Sequence, residues 1–577
     1  MLRTTPILPT TLMPQLSITP TVASAPEISR SERWSASFFL LCALALRCFY
    51  IFRFRYDNDE PQHLHTTWGW TQGLIQYRDF FDNHTPIFHL LFSPLVALIG
   101  ESPNILTYMR FAMAPLWLVC LWAVWKIGCE VYSRRVGLWS AVGISLLSWW
   151  FFPALEYRTD NLWAPLWLCA LAVLITGKPG WKTWLSGGLL LGLAAGVSMK
   201  TTLILAMAAL AAGIAPHIAA RRLDSAVLKT QLKAALVIAA GVVVVPAILC
   251  AAFAALGCWH EFYYGVIQHN MMLSVDKKVH TLVDRLAFPL ALPFFLFGAA
   301  LIGRGATPRA IRQTTLFLFA GFYCTALMSF WALITRQDYL PFYPVAVLVV
   351  VPWILYGAAR LGSGAVPWVM GTVGVIEIAL ILGGRPPGVD GTLFEKEILR
   401  EVLQLTRPGE YVMDFKGEAV FRQRAFYYVI EPLTYGRMSR KLIKDTIKED
   451  LIAKNVHVVL NRKQSYRKDT VNFLTENYLT IGQLRVSGRI LSVGKTVPGA
   501  LFTFPVAVGG GYVLWSKHLP VHGLLDGQPY DGPRELAPGT HTFQAEGAYP
   551  CLALLWDRAA AAGYAPVLNW HGWQYEK

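Results

Sequence analysis

The stretch whose reading decides the fold is WLSGGLLLGLAAGVSMKTTLILAMAALAAGIAPH, residues 184–217. It is almost continuously apolar, and Lys200 is its one Lys, Arg, Asp or Glu. As a single helix it would run about 50 Å, against a bilayer hydrocarbon core of about 30 Å. We therefore read two spans that meet in a turn at Lys200. The same criterion places spans at 35–52, 108–125, 137–153, 161–177, 184–198, 200–217, 234–256, 286–303, 314–333, 342–358 and 365–384, about eleven in all. A further apolar stretch, IFHLLFSPLVALI at 87–99, is short and contains His89 and Pro94. It reads as re-entrant or interfacial rather than spanning.

Working outward, 54% of the 577 residues are hydrophobic, above the roughly 45–50% of a soluble domain. The formal net charge is +15, but the Lys and Arg residues are mostly parcelled into short loops between spans. That pattern reports topology and excludes a nucleic-acid groove. The nine cysteines lie mostly within apolar blocks and form no CxxC pair, which excludes a zinc knuckle or a disulfide framework. Residues 1–33 are rich in Thr, Pro and Ser and read as a disordered tail rather than a cleavable signal peptide.

With the turn at Lys200 and a non-spanning 87–99, alternate loops sort by charge. One set holds Lys126, Arg134, Arg135, Lys178, Lys182, Arg221, Arg222, Lys229, Lys233, Arg304, Arg309, Arg312 and Arg360. The other holds Asp57, Asp59, Glu60, Asp79, Asp82, Glu101, Glu156, Asp160, Glu261, Asp276, Asp284 and Asp338. The positive-inside rule makes the first set cytoplasmic. The N-terminus is then inside and the C-terminal domain is periplasmic or extracellular, with the chain in the plasma (inner) membrane.

The acidic loops carry the candidate chemistry. The first outer loop, 53–107, opens RFRYDNDEPQHLHTTWGW. Asp57, Asp59 and Glu60 stand at the membrane surface, where partial desolvation suits a general base toward a hydroxyl. Arg53 and Arg55 beside them suit a lipid phosphate. Glu156, Arg158 and Asp160 follow the aromatic run WWFF. Lys200 is costly in its tight turn unless paired, and Asp160 is its natural partner at the same depth. The loop 257–285 brings His260, Glu261, His269, Asn270, Lys277, Lys278 and His280, without a fixed metal-ligand spacing. Arg336, Asp338 and Tyr339 sit in ITRQDYLPFYP at the mouth of a span. Carboxylates and isolated cations at one interface suit a hydroxyl nucleophile and a phosphate leaving group, which needs no general acid.

At these residues the chain resembles the polytopic C-type glycosyltransferases of family 39, which include protein O-mannosyltransferases and the aminoarabinose transferases of lipid A. The likeness lies in Asp59-Glu60 within NDEPQHLH, in NHTPIFHLLF, in the Arg158-x-Asp160 element, in Lys200 within GLAAGVSMKTT, and in QDYLPFYP around Tyr339 and Pro344. It covers roughly the first two-thirds of the chain and implies a glycosyltransferase domain at 34–386. It implies a polyprenyl-phosphate sugar donor, inversion at the anomeric carbon, and an envelope acceptor (protein, lipid or glycan) on the outer face. By the resemblance Asp59 is the base, with Glu60 and Asp160 as the other catalytic candidates and Asp57 as the fallback. Arg53, Arg55, His84, Arg158, Lys200, His269, Arg336 and Tyr339 are the substrate-binding candidates; no cofactor is required, with a divalent metal on the histidines and acids of loop 257–285 as the alternative. The chain has His84-Thr85-Pro86 where aminoarabinose transferases carry a lysine before Pro-Pro, a departure that leaves the acceptor open.

Residues 387–480 alternate helical and strand-like runs and read as a small α/β unit. Residues 481–577 read as a β-sandwich, with short strands, Gly-rich turns and the aromatics Trp515, Tyr530, Trp556, Trp570 and Trp573. The expected architecture is thus an α-helical polytopic membrane domain followed by an outer α/β plus β-sandwich domain. The alternative to an enzyme is a non-catalytic transporter or binding scaffold for lipid-linked glycans.

Overall fold

The computed structural model describes residues 28–271, 282–303, 307–331, 334–362, 364–461, 466–517 and 519–567. Most of the expected tail, together with Lys277, Lys278, His280, Trp570 and Trp573, lies outside the described residues. The first helix, α1 (Arg30–Arg53), starts where Ser29 accepts a hydrogen bond from the Glu32 N–H. The helices α2 (Asp59–Thr71), α3 (Ile87–Ile99) and α4 (Ile105–Ala112) then build the first loop. The body continues with α5 (Ala114–Val131), α6 (Arg134–Leu146), α7 (Ser148–Phe151), α8 (Asp160–Thr176), α9 (Trp181–Val197), α10 (Thr201–Ala220) and α11 (Ser225–Ala255). It closes with α12 (Trp259–Tyr263), α13 (His269–Met271), α14 (Leu282–Ile302), α15 (Pro308–Phe330), α16 (Phe342–Arg360) and α17 (Ala365–Gly384).

Among the described residues eight helices are long and apolar enough to cross a membrane, or nine when the bent pair α6–α7 counts as one span. The pair bends by 64°. All eleven expected spans are helical, but α8 and α9 have only 17 residues each, the lower limit for crossing. Lys200 lies in the turn between α9 and α10. The stretch 87–99 is a 13-residue helix, about 20 Å long and too short to span.

Described members of the two charge classes lie toward opposite ends of α1. At its start Glu32 pairs with Arg135 at 2.9 Å, and Glu130 pairs with Arg312 at 2.6 Å. At its far end the Arg53 carbonyl accepts from Gly391 N–H at 2.9 Å, where the C-terminal domain begins. Glu101 meets Arg422 of that domain at 2.5 Å. The acidic loops and the C-terminal domain therefore share one end of the molecule.

Between α9 and α11 the packing depends on small residues. Gly188, Gly192 and Gly196 repeat every fourth residue on one face of α9. A Cβ at Gly188 would stand 2.4 Å from the Ile238 carbonyl oxygen, and one at Gly192 would stand 2.7 Å from that of Val242. The absent side chains let the two backbones approach, the usual device where lipid offers no hydrophobic drive between helices.

The C-terminal domain opens with α18 (Leu393–Leu405) and includes α19 (Pro432–Ser439). Its strands are β1 (Tyr411–Met413), β2 (Gln423–Arg424), β3 (Val458–Leu460), β4 (Tyr478–Ile481), β5 (Leu484–Ser492), β6 (Leu501–Val506), β7 (Gly510–Trp515), β8 (Gly523–Leu525), β9 (Gln528–Tyr530), β10 (Arg534–Leu536), β11 (Gly539–Ala545) and β12 (Leu552–Trp556). They form an eight-stranded sheet, β10-β7-β12-β5-β3-β1-β2 with β4 on β5, and a four-stranded sheet, β6-β11-β8-β9. The expected boundary near residue 480 does not separate two sheets. Strand β3 would present a bare edge, and β5, from beyond that boundary, covers it. The sandwich exists, but one of its layers continues the α/β sheet. Tyr530 and Trp556 are core residues of this domain.

Gly188→Leu should lower the unfolding free energy of the detergent-solubilised protein by about 1–3 kcal/mol through overpacking. Gly213→Leu, where a Cβ meets nothing within 4 Å, should leave the thermal midpoint nearly unchanged.

Candidate active site

The site is a cavity of about 590 Å³ at the end shared by the acidic loops and the C-terminal domain. Its polar wall includes Asp59, His84, Arg158, Lys200, Asp338 and Glu431. Its apolar wall includes Met199, Val266, Ile267, Phe330, Trp331 and Leu433.

Asp59 starts α2, so its carboxylate sits at the positive end of a helix. Its Oδ2 lies 2.7 Å from Arg158 Nη1, and its Oδ1 contacts Lys416 Nζ. Burial pushes the Asp59 carboxyl up, but the charges of Arg158 and Lys416 outweigh it and hold it well below the usual carboxylate range. Arg158 also meets Asp57 at 2.5 Å and Asp160 at 3.4 Å. Three carboxylates from two loops thus share one guanidinium. Asp160 passes the charge chain on to Lys200 at 3.0 Å, and Lys200 reaches Asp338 at 2.5 Å. Asp338 is fixed by a capping box, in which its carboxylate accepts from the Thr335 N–H and hydroxyl.

Behind this chain lies a second, fully buried ion pair. Glu60 meets the Arg110 guanidinium through both oxygens and also accepts from the Tyr157 and Asp57 N–H groups at 2.8 Å each. Its lone pairs are saturated and it does not reach the cavity wall. The structure thus does not bring Glu60 to the cavity with Asp59: it pins Asp57 and Tyr157 and so holds the loop that carries Asp59. Burial and the neighbouring Asp57 push the Glu156 carboxyl well above the usual carboxylate range. Its other contact is Gln337 at 2.7 Å.

His84 reaches the cavity from a buried cluster. Asp82 holds His84 at 3.0 Å and accepts from Gln76 at 2.7 Å, while His63 and His89 face each other at 3.1 Å. His269 stands one step back from the cavity, 3.5 Å from Glu431. Arg53, Arg55 and Arg336 are exposed and do not line the cavity. Tyr339 packs against Phe342 and Tyr343 and does not line it either. These four sequence expectations are not brought into the site, because a charge or ring at a span mouth can face the headgroup layer as readily as the protein. Sequence reading missed Lys416 and Glu431, which arrive from more than 350 residues downstream of Asp59, and Arg110, which falls inside the apolar stretch read as the span 108–125. Among the described residues no three His, Cys, Asp or Glu side chains are grouped to hold a metal ion.

No family model and no curated protein matches the chain. Among solved structures it is similar to ArnT from Cupriavidus metallidurans in the apo state, with a TM-score of 0.53 at 13% identity, over 80% of this chain and 98% of that one. It is also similar to the same enzyme bound to undecaprenyl phosphate, with a TM-score of 0.52 at 12% identity, over 79% and 98%. The chain shares the fold of these structures, a polytopic membrane domain followed by a β-rich domain.

Removing one partner of the buried Glu60–Arg110 pair leaves an uncompensated charge. Glu60→Ala should cost about 3–5 kcal/mol of stability, read from denaturation in micelles.

Proposed function

We propose that this chain is a membrane glycosyltransferase. It moves a sugar from a polyprenyl-phosphate donor to a hydroxyl of an envelope acceptor on the non-cytoplasmic face. The carrying observation is Asp59, set against Arg158 at the polar end of a cavity whose other wall is apolar. The apolar wall suits a prenyl chain, and Arg158 and Lys200 suit the phosphate at its end. The ArnT structure with undecaprenyl phosphate supports a lipid-phosphate ligand for this fold.

In the proposed reaction the acceptor hydroxyl oxygen attacks the anomeric carbon on the face opposite the phosphate. The new C–O bond forms as the bond from that carbon to the phosphate oxygen breaks. The hydroxyl proton passes to Asp59, and the bonding pair leaves with the polyprenyl phosphate, stabilised by Arg158 and Lys200. Attack from the opposite face inverts the anomeric carbon. The sugar does not pass through a covalent enzyme adduct, so one carboxylate base suffices. The charge sorting of the loops supports a cytoplasmic N-terminus and a periplasmic or extracellular C-terminal domain in the inner membrane.

Asp59→Asn should lower transfer of a labelled sugar from polyprenyl phosphate by roughly 10²–10⁴-fold while donor binding persists. Undiminished transfer would exclude Asp59 as the base. Binding without any transfer by the wild-type protein would favour the transporter or scaffold reading instead.

A further inference from the structure

The C-terminal domain does more than dock. Two segments of it reach the site: the loop between β1 and β2, which brings Lys416 to Asp59, and the start of α19, which brings Glu431 and Leu433 to the cavity wall. Asp414 builds that loop by accepting from Gly417 and Ala419 N–H at 3.2 and 2.8 Å and from Arg424 Nε at 2.7 Å. Glu418 accepts from the Phe415 and Lys416 N–H groups at 3.0 and 2.7 Å. Gly417 has φ +90°, and a Cβ there would stand 2.6 Å from that of His65, so the loop lies directly on α2. The tip is Lys416, whose ammonium bridges Asp59 and Glu431, the latter at 3.3 Å.

Glu431 reaches the cavity wall and is oriented from its other side. Arg437 donates to Nδ1 of His269 and, at 2.5 Å, to its carbonyl. A guanidinium only donates, so His269 Nδ1 must accept and the ring proton sits on Nε2. That N–H faces Glu431 Oε1 at 3.5 Å, and among the described residues neither atom has another hydrogen-bond partner. A carboxylate held in this way at a cavity wall is an acceptor for hydroxyl or amino groups.

We infer that the C-terminal domain completes the active site: Glu431 binds hydroxyl or amino groups of the donor sugar, and Lys416 is the positioning residue that sets Glu431 and Asp59 against each other. The inference rests on the reading of Asp59 as the base in a sugar transferase. It assigns to the C-terminal domain a part in sugar selection.

The test uses the full-length protein with two ligands, the polyprenyl-phosphate sugar and bare polyprenyl phosphate. Glu431→Gln should weaken the sugar-bearing donor by roughly 10- to 100-fold, the loss of a hydrogen bond to a charged group, and leave bare polyprenyl phosphate unaffected. Equal effects on both ligands, or on neither, would overturn the assignment of Glu431. Lys416→Ala removes a cation from Asp59 and so raises its pKa. The base form is then lost at higher pH, and the acid limb of kcat/KM should move up by about one pH unit. Lys416→Arg should restore the wild-type limb. An unmoved limb in Lys416→Ala would overturn the role of Lys416. If Lys416→Ala does not fold, Lys416→Gln against Lys416→Arg makes the same comparison. The binding arm needs no turnover, so it stands apart from the Asp59→Asn result on which the transferase reading depends.

Discussion

Arg158 is the interaction on which the site depends. Its guanidinium meets Asp57, Asp59 and Asp160, and each of those carboxylates would be costly in this half-buried place without a cation. Glu60, Asp57 and Asp59 come from the loop after α1, while Arg158 and Asp160 come from the loop before α8. The charge requirement therefore fastens two segments that the sequence holds about a hundred residues apart. Lys200 extends the same logic through Asp160 to Asp338, and Lys416 extends it through Asp59 to Glu431. Cations and acids alternate along this chain.

The membrane domain supplies this chain with a fixed frame. Its spans are packed by small residues, most clearly where Gly188 and Gly192 let α9 meet α11. The tight approach sets the end of α9, and hence the turn that presents Lys200. The short helices α2 and α3 do not cross the bilayer and lie at the acidic end. They carry Asp59 and the histidine cluster behind His84 to the cavity. Membrane residence and site geometry are in this sense one problem, since the helix ends define where the loops can go.

The C-terminal domain is joined to that frame by charge and by ring packing. Arg422 takes Glu101, and Phe81 packs against Tyr427 and Tyr428. Its own architecture solves a strand-edge problem, with β5 covering β3 and joining the α/β part to the sandwich. One rigid sheet therefore stands behind the loop that carries Lys416.

The sequence by itself determined the membrane class and the turn at Lys200, because span length against bilayer thickness leaves little choice. It also determined the separation of acidic from basic loops, which follows from where charge is cheap. It marked Asp59, Arg158, Asp160 and Lys200, since charges beside spans must be paired. It did not separate Glu60 from Asp59, because adjacent acids on one helical turn look alike until the fold shows which one Arg110 saturates. It also put Arg53, Arg55, Arg336 and Tyr339 in a site they do not reach. Only the tertiary structure decided that Arg110 belongs with Glu60, and that Lys416 and Glu431 belong with Asp59. Pairing across some 350 residues leaves no local periodicity or spacing, and such a partner is chosen by the docking of one domain on another.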